Sequence, residues 1–391
     1  MSEKKVNMDF EEYIRQGEPG KKERAYIWRT AIGLQAVDGL ETSDYLKETA
    51  LRNIEGEITI DEARQLVKAY YEHRTSRTTE DRDTEEADRA SSNIVKILKE
   101  KSFSFTLSGL ISIHRRIFDG VYIFAGKVRD YDITKREWVL GGDTVLYVSA
   151  PDIKQAVEYD LEQEKAFDYT GLDTDEIIKH LAGFVAGLWQ IHPFGEGNTR
   201  TTAVFTIKYL RSLGFDVDNQ PFVENSWYFR NALVRANYQN VVRGVKRESV
   251  FLELFFRNLL LKDTNTLKNR YLHIDLPEDM KHERYMILQS AYGKHRTSTG
   301  QVQDKMLTSD PNVELLVLAI GNQQMSVKMM MEAIGLKGRD NFLENHLSPA
   351  MDGGYVRMLY PDKPRHPRQK YLLTAKGMLL FERLAPLSSK G

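Results

Sequence analysis

Residues 191–200 read IHPFGEGNTR and lie between two apolar helical stretches, which restricts the chain more than any other feature. On the N-terminal side, Ile178, Leu181, Val185 and Leu188 recur at helical spacing over 173–190, with Asp173 and Glu176 as an N-cap pair. On the other side, Ala203, Ile207 and Leu210 share one face of a helix over 201–213 that Gly214 ends. Two buried helices joined by a short polar loop bring the loop's backbone N–H groups and a helix N-terminus together, which makes an anion site. The spacing therefore predicts a mainly helical fold built around this loop.

The side chains extend that reading. Arg200, in the first turn of the second helix, can hold phosphate oxygens bidentately. Glu196 offers a hard oxygen ligand suited to Mg²⁺. His192 can take a proton from an attacking hydroxyl near neutral pH. A lone histidine in an apolar helix is usually a satisfied core residue, but all these groups within nine residues point to phosphoryl or nucleotidyl transfer. A zinc site is disfavoured, because no second histidine stands at i+4 and the chain has no cysteine.

The 391 residues suggest two or three domains. A net charge of −1 gives no global attraction to nucleic acid or membranes. The polar N-terminus lacks a signal-peptide core and no apolar run is long enough to span a bilayer, so a cytoplasmic protein is expected. Residues 1–75 read as an N-terminal helical segment, with a turn-rich lead to about 22 and helices near 24–37, 42–54 and 60–73. Residues 76–92, almost without large apolar side chains, read as a polar linker or an exposed helix start. The core is expected over 93–262, including a β-hairpin over 128–148 and a helix over 226–243. A connection follows at 263–310. Residues 311–391 read helix, helix, helix, strand (355–360), basic turn, strand (371–374), the order of a winged helix-turn-helix domain.

HPFGEGNTR resembles the Fic (Fido) family motif HPFx[D/E]GNGRxxR. The stretches IHRRIF (113–118) and FAGKVR (124–129) are similar to the family's lead into its flap, so the resemblance spans about 93–262. It implies transfer of AMP from ATP to a target-protein hydroxyl, with ATP as substrate and Mg²⁺ as cofactor. On that resemblance His192 is the general base and Glu196 the metal ligand. Gly195, Gly197, Asn198 and the Thr199 backbone form the anion cradle, Arg200 holds ATP phosphates, and Phe194 packs inward to fix the loop. Tyr131, Ile133 and Lys135 on the flap clamp the target backbone. Tyr228, Asn237 and Tyr238 are the adenine-pocket candidates.

Thr199 replaces the motif's second glycine, which a helical backbone tolerates. Ala203 stands where relatives often have a second arginine that pairs with an inhibitory glutamate, so that salt bridge is not available here. Two segments nevertheless have the shape of the family's inhibitory helix, one ending at Asp38-Gly39 and one at Glu55-Gly56, with Asp38 preferred. The alternative for Asp38-Gly39 is a plain helix C-cap, and the N-terminal segment is expected to be antitoxin-like with weak or altered inhibitory control.

Lys363, Arg365, Arg368 and Lys370 suggest DNA contact through 339–370, although Asp340, Glu344, Asp352 and Asp362 dilute the charge. The rival reading is therefore a DNA-binding regulator with a nucleotide-sensing or inactive core. Self-modification and homodimer formation stay open at this stage, as does transfer of a different phosphate-containing group.

Overall fold

The computed structural model describes residues 10–384 apart from 11, 16, 74–77, 170–171, 216, 218, 298–309, 322, 360–363, 365 and 367–368. Its architecture is mainly α-helical, and its two cores divide at the helical connection Glu278–Thr297. The helices of the main body are α1 (Pro19–Gly33), α2 (Asp44–Glu55), α3 (Ile60–Glu72), α4 (Thr79–Lys99), α5 (Leu107–Ile117), α6 (Ile153–Ala166), α7 (Thr174–Ile191), α8 (Asn198–Ser212), α9 (Gln220–Asn237) and α10 (Val250–Leu261). A 3-10 turn, Leu34–Asp38, continues α1. Among the described residues no helix is long and apolar enough to cross a membrane.

Local chemistry explains most of the boundaries. Ser43, Thr59, Thr78, Thr106 and Asp173 each cap a helix by accepting a backbone N–H. At Thr59, Thr78 and Asp173 an acidic N3 side chain returns the bond, completing a capping box. The expected turn-rich lead to residue 22 stops earlier, because Pro19 with its preset φ sits at the start of α1.

Residues 79–92 of the expected linker are helical, since α4 begins at Thr79. Its buried face is made of small residues, Ala87, Ala90, Ser91 and Ser92, so hydrophobicity alone does not reveal it. Asp88 on that face is fully buried. It accepts from Ser43 N–H at 2.9 Å, Ser43 Oγ at 2.5 Å and the Tyr71 hydroxyl at 2.7 Å, which ties α4 to α2 and α3.

Helix α1 packs on α2, α4 and α9, and its Trp28 indole donates to Asn53 Oδ1 at 2.9 Å. The N-terminal segment therefore belongs to one continuous core running from Phe10 to Leu272.

The hairpin expected over 128–148 is not made as paired strands. The segment is an extended flap whose tip is the 3-10 turn Trp138–Leu140, with Glu137 N–H donating to Asp143 O at 2.9 Å. The reason is local: the Arg129 guanidinium binds the carbonyls of Tyr131 (2.7 Å) and Val148 (2.5 Å), which a ladder would otherwise use. Helix α9 also differs from the expected 226–243, ending at Asn237 before a turn bridged between Asn240 and Val245.

Beyond α11 (Glu278–Thr297) the chain runs α12 (Pro311–Ile320), α13 (Val327–Ala333) and a helical stretch Arg339–Phe342, Leu343–Leu347, Ser348–Asp352. Strands β1 (Val356–Met358) and β2 (Tyr371–Leu373) and a final helix, Ala375–Leu384, complete it. β1 and β2 pair antiparallel with Val356 opposite Leu373. This is the expected element order with shorter strands. Of the basic turn residues, Lys363, Arg365 and Arg368 lie outside the described residues. The domain meets the main body where Gly214 and Gly354 run backbone to backbone. A Cβ on Gly214 would stand 2.0 Å from the Gly354 carbonyl oxygen, and both residues have positive φ.

All four tryptophans (Trp28, Trp138, Trp189 and Trp227) lie in the main body, so their fluorescence reports its unfolding alone. Trp28→Ala is expected to destabilise that core by about 3–5 kcal/mol in urea titrations. A C-terminal domain with its own core should keep its midpoint when followed through a label placed there.

Candidate active site

Helix α7 delivers His192 in the left-handed conformation, φ 51° and ψ 60°, and this turns the chain out of the helix. Its Nδ1 lies 3.2 Å from the Trp189 carbonyl, which can only accept, so Nδ1 carries the proton and Nε2 keeps its lone pair. The Tyr147 and Trp189 rings pack against the imidazole at 4.3 and 5.0 Å between centroids. Burial, aided by the Lys135 charge, holds the imidazole pKa well below 6.5. His192 is thus a neutral base throughout the physiological range.

The loop after it is held by its own side chains. Asn198 Oδ1 accepts from Phe194 N–H at 2.9 Å while Nδ2 donates to Phe194 O at 2.7 Å, so this residue shapes the loop through both ends of its amide. Phe194 is fully buried and stacks on His114 at 3.7 Å. Gly197 has φ 75° and meets the Phe118 ring so closely that a Cβ would stand 2.2 Å from it. Thr199 lies inside α8, needs no positive φ, and accepts the Trp189 indole N–H through Oγ1 at 3.0 Å. Ala203 is buried in the same helix.

Glu196 is exposed and its Oε2 pairs with Lys135 Nζ of the flap at 2.9 Å. Tyr131 also reaches the loop, its hydroxyl 2.7 Å from where a Cβ on Gly195 would be. Ile133 lies half-buried on the flap between them. The structure therefore brings the flap candidates Tyr131 and Lys135 to the loop.

Arg200 is buried. Its Nε forms an ion pair with Asp38 Oδ2 at 2.8 Å, Nη2 donates to Glu86 Oε1 at 2.5 Å, and Nη1 donates to Gln35 Oε1 at 3.0 Å. The guanidinium also stands 4.7 Å over the Phe118 ring. Burial opposes its charge, but Asp38, Tyr122 and Glu86 outweigh burial and raise its pKa. Of the two inhibitory candidates, Asp38 thus reaches the motif. Glu55 instead pairs with Lys21 at 2.6 Å and accepts from Tyr13, both in the N-terminal segment.

The adenine candidates are committed elsewhere. Tyr228 lines a small cavity with Phe251, Leu254 and Tyr271. Asn237 donates to the Ala186 and Leu233 carbonyls at 2.8 and 3.0 Å. The Tyr238 hydroxyl donates to Asp143 Oδ2 at 2.6 Å and so anchors the flap tip.

Three residues that the sequence reading leaves without roles hold the site. Arg129 donates to His192 O at 2.8 Å and Ile191 O at 3.3 Å as well as to its flap carbonyls. His114 accepts Gly126 N–H at Nδ1 (2.8 Å), so Nε2 is the protonated nitrogen that donates to Glu196 O at 3.0 Å. Glu86 is missed because it falls in the supposed linker. For His114 a signal existed, a polar residue beside Ile113 and Ile117 on a helix with an apolar face.

The chain is similar to known proteins in two regions. Residues 104–210 match the Fic/DOC family, and residues 311–374 match the C-terminal domain of Filamentation induced by cAMP protein Fic-like. The protein adenylyltransferase VbhT of Bartonella schoenbuchensis is 33% identical over 117 residues, covering 30% of this chain and 23% of that protein. The chain thus spans about a quarter of the length of that relative. The crystal structure of a Fic family protein from Desulfovibrio desulfuricans G20 shares 16% identity and a TM-score of 0.39, covering 95% of this chain and 93% of that one.

His114 gives a test of the buried framework. Burial lowers its pKa from 6.5 to about 4. Above 6.5 neither the folded nor the unfolded imidazole is charged. Between 6.5 and 4 the unfolded chain binds a proton that the folded one cannot, so stability falls with pH, by roughly 3 kcal/mol from this residue at 1.36 kcal/mol per unit. Urea midpoints from pH 7.5 to 4.5 should show the decline, and His114→Gln should make it shallower, with buried His192 contributing in the same direction.

Proposed function

Starting from a chain that carries a Fic/DOC domain and a Fic-like C-terminal domain, we propose that it transfers AMP from ATP to a hydroxyl of a Ser, Thr or Tyr on a target protein, releasing pyrophosphate. The observation that carries this reading is the His192 tautomer: a neutral imidazole with a free Nε2 lone pair beside a helix N-terminus that has no side-chain cap. Nε2 takes the hydroxyl proton as the target oxygen bonds to the α-phosphorus. The bond from that phosphorus to the bridging oxygen breaks, and pyrophosphate leaves with the electron pair. Gly195, Gly197 and the N-terminus of α8 supply backbone donors to the phosphates, and Arg200 adds a fixed charge when released from its carboxylates.

Glu196 suits Mg²⁺ because it is a single exposed carboxylate at the loop, and among the described residues no cluster of three His, Asp or Glu could hold an ion alone. An ion there would be held mainly by nucleotide oxygens and water, and would neutralise phosphate charge. In this reading Tyr131, Ile133 and Lys135 dock the target, which is supported by Tyr131 and Lys135 standing over the loop.

The N-terminal turn acts as an inhibitor in this reading. Asp38 occupies the first arginine of the motif, Arg200, rather than the missing second one. Nucleotide phosphates must displace it, so movement of the turn Leu34–Asp38 relieves the block.

Incubation with ATP labelled at the α-phosphate tests these points. Wild type should label a target or itself, and His192→Ala should lower labelling by roughly 10²–10⁴-fold. Label carried only from the γ-phosphate would instead mean kinase chemistry. Asp38→Ala should raise labelling about fivefold or more; an unchanged rate would remove the inhibitory role. Lys135→Ala should tighten Mn²⁺ binding at Glu196, read by the metal's paramagnetic resonance signal, because the carboxylate loses its internal cation.

A further inference from the structure

A second group of cations lies outside the loop, where the C-terminal end of α9 meets the turn bridged at Asn240 and Val245. Arg235 in the last turn of α9 is 3% exposed. Its Nη2 donates to Glu248 Oε2 at 2.5 Å, but among the described residues its Nε and Nη1 have no hydrogen-bond partner. Glu248 is shared, because its other oxygen accepts from Arg284 Nη2 at 2.5 Å. Two guanidiniums thus divide one carboxylate, and burial lowers the Arg235 pKa despite Glu248.

A buried cation with unpartnered donors and half a counter-ion is costly unless another anion completes it. The space for one is present. Arg235, Lys246, Arg247 and Arg284 line a cavity of about 450 Å³ with Glu248 as its carboxylate. Four cationic side chains against one carboxylate leave a net charge of +3. Lys246 and Arg247 are exposed at the rim, and Arg284 is braced over the Phe251 ring at 5.1 Å. We propose that this cavity is a binding site for a phosphate-bearing small molecule, separate from the catalytic loop. The oxyanion pairs with Arg284, Lys246 and Arg247 at the open side of the cavity and offsets the charge of Arg235 through space, since the unpartnered Nε and Nη1 of Arg235 are shielded from solvent. Free inorganic phosphate and the phosphate of a nucleotide share this chemistry.

The test reads binding, so it is independent of whether AMP transfer is the correct activity. Isothermal titration with sodium phosphate, and separately with AMP, is applied to the full chain and to K246A/R247A, both of whose changes lie at exposed positions. Phosphate binding to the wild type that weakens by about tenfold or more in the variant supports the site. AMP binding more tightly than phosphate, with the same loss in the variant, also supports it and assigns the oxyanion to a nucleotide. Equal phosphate affinity in both proteins would place the anion on the loop at 195–200 and overturn the proposal, as would no binding to the wild type.

Discussion

A buried guanidinium cannot stand alone, and the arrangement of this protein around Arg200 follows from that requirement. Its partners come from three places: Gln35 and Asp38 from the turn after α1, Glu86 from α4, and Phe118 with Tyr122 from the end of α5. Glu86 is itself held by the Tyr122 hydroxyl at 2.6 Å. Each segment is therefore coupled to the position of the others. The N-terminal helices are part of the core that presents the loop, and in the proposed function the same contact serves as the brake.

The rest of the site shows a division of labour. Asn198, His114 and Arg129 direct their polar atoms at main-chain groups, so their task is to hold the loop and flap in shape. In the proposed function, His192 Nε2, the Glu196 carboxylate and the loop's backbone donors are the groups assigned to chemistry. On that reading the motif is part reagent and part scaffold. The two neutral histidines differ by tautomer: His192 is protonated on Nδ1 and His114 on Nε2, each set by a neighbouring backbone group.

Much of the fold was legible because its signals are local. The α7 and α8 stripes, the Asp173–Glu176 capping box and the element order of the C-terminal domain all express helical or strand periodicity with end signals. The pairing of Asp38 with the motif was legible only through resemblance, since a contact between residues so far apart in the chain leaves no local trace. The errors have physical causes. Helix α4 hides its buried face in alanine and serine around a hydrogen-bonded aspartate, so a polarity count reads it as linker. The flap carries strand-forming residues but gives two of its carbonyls to Arg129. Tyr228 and Asn237 on α9 and Tyr238 just after it are engaged in packing, with carbonyls and with the flap tip, contacts that leave no local trace in the sequence.

Arg129 has a wider consequence. Its guanidinium binds the carbonyls of Tyr131, Val148, Ile191 and His192, atoms that every amino acid possesses. The flap's placement over the loop is thereby made independent of which side chains the flap displays. A residue facing outward from it, such as Leu146, can be exchanged without moving the scaffold that aims it. The backbone course of this short segment and the side chains it displays are in this way separable, and the second can be rewritten while the first is kept.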